Sequence, residues 1–443
     1  MKSSLQSIML TIIVISVIAS GLLASSPVSA QTSPPPTIQV SPGGSDSTGN
    51  GTLANPYATI SHAVSVAPPT GAVIVVGPGV YMEMVNITKP ITLESENSQA
   101  SSTIINANGM TYGIVVFGPG ASGTVIQGVT VENADNHGIY VQDADHVTIL
   151  NNDVLHNGLN PVTCPEPPAA PTGPCITENK ALQLVGSSNS VVSNNLVADN
   201  QADGGIGVFD DGQINPGGLT SGTARPAVGN VISGNTVTSN VGGCGVVVAA
   251  YNPSGGVTNN LVTGNHVVNG YAGIVVAADT PQTSAINNTV VANTVLNNQL
   301  PGIIVHSNTP GDKVVGTLVI RNVLSGNGGF GPEPTGIIVV GEANPVLTTI
   351  ITGNIVHNEY FGIQVVNGTD TRASENLLDS SVSVPISGAS AVSSVMAGSP
   401  LATTSTTSMQ QSETVDTAMY LGAGGFVLGL VALVVAVTSR RRK

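Results

Sequence analysis

Five aspartates, Asp143, Asp145, Asp203, Asp210 and Asp211, stand close together in a chain that is only 8% charged, and His137, Tyr140, His146 and His156 lie nearby. Removing a proton beside a carboxylate requires a cation to neutralise that carboxylate and a base to take the proton. In such a site the aspartates would hold the cation, and one of the four neighbours would serve as acid or base. Aspartates at turns can also do nothing more than accept backbone N–H groups. The elements that carry these residues decide between the two.

Those elements are repeats. The unit His137-Gly138-Ile139-Tyr140-Val141 is a Gly-φ-x-φ pattern, φ being apolar, that returns at Gly205, Gly245, Gly273, Gly302, Gly336 and Gly362, and with Ala181 in place of Gly. Between successive units stands an asparagine, at Asn152, Asn195, Asn235, Asn265, Asn293, Asn322 and Asn354, with an apolar residue three before and another two after. Apolar positions at i and i+2, in short runs bounded by Gly, Asn and Pro, predict half-buried strands. A period of roughly 22 to 43 residues predicts an all-β solenoid of stacked coils. Coils about 4.8 Å apart would align the asparagines into an internal ladder, with Asn200 at a coil edge outside it. Asp143 and Asp210 each fall five places after the repeat Gly, with one coil between them, hence about 10 Å apart. That is too far for one ion unless a turn bends inward.

Strand parity points Tyr140, Gln183, Gly207, Val247, Val275, Ile304, Ile338 and Gln364 outward. The apolar middle of this row is expected to form a surface patch, covered by the following turns or by a partner. Two long segments, one between Cys164 and Cys175 and one over 212–229, would wall a groove.

The solenoid is expected over 38–380, behind a Pro-rich linker at 31–37, with 59–66 as a short helix capping its open end. Residues 1–30 read as a secretory signal, 381–419 as a Ser/Thr-rich stalk, 420–438 as a transmembrane helix and 439–443 as a basic tail left inside. These segments predict export and display at the cell surface on a single membrane span. Cys164 and Cys175 are expected to pair as a disulfide, and Cys244 to be a buried thiol. Asn50, Asn86, Asn287 and Asn367 head glycosylation sequons. Net charge is −14, with four of the eleven basic residues in the tail, which excludes nucleic acid as a partner.

The block from Gly44-Ser45-Asp46 through Thr59-Ile60 to the strands over 72–82 resembles the amino-terminal entry segment of right-handed parallel β-helix proteins of the pectin-lyase-like superfamily. The coils look like the generic right-handed β-helix repeat, also seen in NosD-like copper-enzyme maturation factors. The resemblance implies a right-handed parallel β-helix solenoid over 38–380. It also implies a range of activities, since such proteins include polysaccharide lyases, hydrolases, epimerases and surface adhesins. Related lyases often bind Ca²⁺ through clustered aspartates, which makes Ca²⁺ the cation implied for the acidic corner. The lyase Arg-Pro motif has no match within a coil, Arg225-Pro226 lying in an insertion, and an epimerase-type Asp-Pro-His is absent. Two function classes follow. One is a surface-anchored module that binds polysaccharide or cell-surface glycan, or serves adhesion; the other is a lyase- or epimerase-like enzyme using the region from Asp143 to Asp211. A NosD-like metal role ranks third, because Met/His-rich and Cys metal motifs are missing.

Overall fold

The computed structural model describes residues 34–159, 180–201, 204–210, 225–240, 242–252, 255–329, 331–389 and the backbone of 391–397. The expected signal, disulfide, membrane span and basic tail lie outside these residues. Among the described residues no helix is long and apolar enough to cross a membrane. The coils belong to the unit that begins at Pro36; of the other unit, Met1–Pro35, only residues 34 and 35 are described.

The chain winds into a parallel β-helix with sheets of 23, 11 and 6 strands. One coil shows the plan. Cys244–Ala250 lies in the 11-stranded sheet, Val257–Thr258 in the six-stranded one, and Leu261–Thr263 and His266–Val268 in the large sheet. Three corners join the short strands. At each, one residue adopts left-handed φ and the next points inward: Asn259 (56°) precedes Asn260, Gly264 (64°) precedes Asn265, and Asn269 (56°) precedes Gly270. The inward corner residues are therefore five apart, and Val262 and Val267 between them enter the core.

Stacking the corners produces three polar columns. The middle one runs from Asn152 through Asn195, Asn235, Asn265, Asn293, Asn322 and Asn354 to Asn376. Asn265 is typical: its backbone N–H and its Nδ2 both donate to Asn293 Oδ1, at 2.9 and 3.0 Å, and Nδ2 also donates to the Ile232 carbonyl at 2.9 Å. Asn200 is no edge residue. It is fully buried in a second column, giving its N–H and Nδ2 to Asn240 Oδ1 at 3.1 and 2.9 Å. The second column runs Asn157, Asn200, Asn240, then Gly270, Asn298, Asn327 and Glu359, and the third links Ser190, Asn230, Asn260 and Asn288.

At the amino-terminal end the helix Ile60–Val66 places Ile60, Ala63 and Val64 in the core. Its first N–H groups are answered by carboxylate: Ile60 and Ser61 donate to Glu83 at 2.9 and 2.7 Å. At the other end strands continue at Val384–Ser387 and Ala391–Ala397, so the solenoid outruns the boundary at 380 expected from the fading sequence pattern.

The outward row of the 11-stranded sheet is not a bare patch. Val247, Val275, Ile304 and Ile338 are at most 3% exposed and belong to a second apolar cluster, against which Phe117, Tyr251, Tyr271 and Val366 pack. Cys244 is a buried member of the same cluster.

Candidate functional site

The 11-stranded sheet carries His137 and Tyr140, and Asp143 and Asp210 follow its strands. Segments 160–179 and 211–224, outside the described residues, are inserted at the two corners that border this sheet. Asp203 and Asp211 likewise lie outside the described residues.

Asp143 and Asp145 follow the strand His137–Gln142. Asp143 is buried with φ 59°, and its carboxylate lies 3.7 Å from the Arg225 guanidinium. Asp145 pairs with the same guanidinium at 2.7 Å, while its other oxygen accepts the Ser188 N–H at 2.9 Å. One arginine, from two coils later, thus holds two carboxylates of a single turn. Asp210 is fully buried and accepts three backbone N–H groups, from Tyr251 at 2.7, Asn252 at 3.1 and Gly256 at 2.7 Å. A Cβ on Gly255 would come within 2.6 Å of this carboxylate, so the turn requires glycine there. Burial pushes the Asp210 carboxyl up to about 6, against the pull of its backbone donors. The described aspartates are thus engaged by Arg225 and by turns, and a Ca²⁺ ion would have to displace those partners. Among the described residues no three His, Cys, Asp or Glu are grouped to hold a metal.

The acid/base candidates divide. His137 and Tyr140 come together, ring centroids 4.9 Å apart, and Tyr112, which sequence reading missed, stacks on His137 at 5.6 Å. The His137 Nδ1 lies 2.6 Å from the Lys180 carbonyl, and burial holds the ring down to about 4, so it is neutral and donates there. The Tyr140 hydroxyl donates to Gln142 at 3.2 Å. His146 and His156 do not join them. Both are exposed and fill left-handed corner positions (58° and 54°) ahead of the inward residues Val147 and Asn157, a scaffold role. A further pair went unnoticed in the sequence: His306 Nδ1 lies 3.4 Å from Asp279, on neighbouring coils of the same sheet face, with His306 fully buried and its imidazole driven down to about 3 by that burial.

The opposite face of the molecule is accessible. Along the large sheet, Ser193, Ser233, Thr263, Val291, Ile320, Thr352 and Ser374 stand in register, one per coil, each half-buried. Beside them run Val191, Val231, Leu261, Thr289, Leu318, Ile350 and Arg372. Arg372, on the last of these coils, is the one charge in the two columns.

Residues 112–290 match the family model described as right-handed beta helix region. The match spans the middle coils of the solenoid. No curated protein matches the chain. Among solved structures it is similar to the A-module of the Azotobacter vinelandii mannuronan C-5 epimerase AlgE4, at 16% identity over 76% of this chain and 94% of that one, TM-score 0.46. The Streptococcus pneumoniae surface protein and adhesin PfbA is similar at 12% identity over 73% and 91%, TM-score 0.44. Pectate lyase Pel9A is similar at 15% identity over 89% and 87%, TM-score 0.46.

Proposed function

We propose that this protein is a cell-surface module that binds an uncharged polysaccharide, exported through residues 1–30 and held at the membrane by 420–438. The observation that carries the reading is the uncharged strip on the large sheet, where hydroxyl and aliphatic side chains recur once per coil from Ser193 to Thr352. A sugar polymer offers the matching pattern, hydroxyls for hydrogen bonds and C–H faces for aliphatic contact, and a strip six coils long suits an extended chain. The net charge of −14 repels polyanions. On a glycan array, full-length protein in detergent should retain neutral glycans with little dependence on salt, and Ser233→Glu with Thr263→Glu should weaken binding about tenfold, a loss near 1.4 kcal/mol. Unchanged binding by that variant, or release of an unsaturated uronate product, counts against the proposal.

A second reading, a carbohydrate-processing enzyme, is favoured by the His306–Asp279 pair on the 11-stranded sheet. A carboxylate beside a neutral imidazole can orient it as a base. Turnover abolished by His306→Ala, in protein that still folds, would establish it.

A further inference from the structure

The four sequons differ in what surrounds the asparagine amide. Asn367 Nδ2 donates to the Gly341 carbonyl at 2.9 Å, so the nitrogen that would carry a sugar is already bonded. Asn287 occupies a left-handed corner with Oδ1 lying over Gly316, and the N–H of its sequon Thr289 is spent on the Asn260 carbonyl at 2.9 Å. Asn86 sits in the extended strand Val85–Ile87, with no bond from Thr88 to its side chain among the described residues. Asn50 alone is arranged differently. Its side chain is exposed, and its Oδ1 accepts both the Thr52 hydroxyl at 2.7 Å and the Thr52 N–H at 3.2 Å, while Nδ2 has no partner among the described residues.

We propose that Asn50 is the residue of this chain that carries an N-linked glycan. Two donors on Oδ1 draw electron density out of the amide carbonyl and favour loss of a proton from Nδ2, which makes a poor nucleophile a better one. The donors come from the residue two places on, so the turn is local and can form in a chain not yet folded. The co-reactant is an oligosaccharide joined through its anomeric carbon to a lipid phosphate. Nδ2 forms a bond to that carbon, the bond from carbon to phosphate oxygen breaks, the lipid phosphate leaves with the electron pair, and the Nδ2 proton passes to a base of the transferase.

This inference rests on the export proposed above, and the test separates the two. Protein is recovered from the membrane fraction of the cell that makes it, and its glycopeptides are mapped by mass spectrometry. The peptide bearing Asn50 should carry a glycan mass that the peptides bearing Asn86, Asn287 and Asn367 lack. Asn50→Gln and Thr52→Ala should each remove that mass, Thr52→Ser should keep it, and Asn50→Gln should melt at the temperature of the unglycosylated wild type. Surface-located protein with bare Asn50, or with the glycan on Asn86, Asn287 or Asn367 instead, overturns the inference; protein confined to the cytosol overturns the export reading together with it.

Discussion

Glu359 is the one carboxyl among the asparagines of the second column. Its Oε1 accepts the N–H of Asn327 at 2.8 Å and the Nδ2 of Asn327 at 3.1 Å, as an asparagine oxygen would. Its Oε2 is buried without a hydrogen-bond partner among the described residues. At the equivalent point an asparagine donates: Asn327 Nδ2 reaches the Val295 carbonyl at 3.0 Å. Only a protonated carboxyl can imitate that donor, and burial accordingly pushes Glu359 from 4.5 up to about 8. Because the folded value lies above the unfolded one, the stability it contributes is complete below the ordinary Glu range and is lost as pH rises through about 8. His357, Tyr360, Glu333 and Asp379 are the titratable groups on adjoining turns, and none is a cause of the shift. Glu359→Gln should keep the acceptor and supply the donor. The gap in melting temperature between variant and wild type should widen from about pH 5 to about pH 8; a gap constant with pH would show that Glu359 is not protonated in the fold.

At the scale of the coil, the second column contains a flaw that can be repaired. Gly270 stands where Asn240 below it and Asn298 above it expect a side-chain amide, and it offers only its N–H, at 3.0 Å from Asn298 Oδ1. Its φ is not left-handed, and the closest atom to an added Cβ, Asn298 Oδ1, is 3.3 Å away, which asks for a shift of a few tenths of an ångström. Gly270→Asn should therefore join the two halves of the column and raise the melting temperature, by about 1 kcal/mol in stability; a fall would mean that Asn298 cannot yield. The contrast between columns also explains what the sequence could disclose. The middle column was legible because one letter, Asn, repeats at a fixed distance from apolar neighbours. The other two were not, because Ser190, Gly270 and Glu359 interrupt them and hide the spacing of five. Arg225 escaped notice as the partner of Asp143 and Asp145 because it arrives from two coils later, and the His306–Asp279 pair because its members lie on different coils.

For the whole molecule, the buried outward row decides how the 11-stranded sheet contributes to stability. Val275 and Ile304 are each 2% exposed, so a hydroxyl placed at either position loses water without a ready partner. Val275→Thr combined with Ile304→Thr should destabilise the protein by roughly 1–3 kcal/mol per site and leave its sedimentation unchanged. Altered association at an unchanged melting temperature would make the row an interface between molecules. Solenoids of this kind hold together through contacts between neighbouring coils, and here one coil meets the next on the inner face, in the columns and in this second cluster.

The corners also govern how such a chain can change in length. Successive asparagines of the middle column are separated by 43, 40, 30, 28, 29, 32 and 22 residues, yet their side chains meet at 2.9 to 3.1 Å every time. All the variation is confined to the turns beside the 11-stranded sheet, while the three inward corner residues keep their spacing of five. A gene encoding this protein can therefore recombine unequally between any two coils, provided the exchange falls at the same corner, and the product gains or loses whole coils with every column intact. Insertion of a single codon between two corners is the change it cannot absorb, because it turns the rest of that coil inside out.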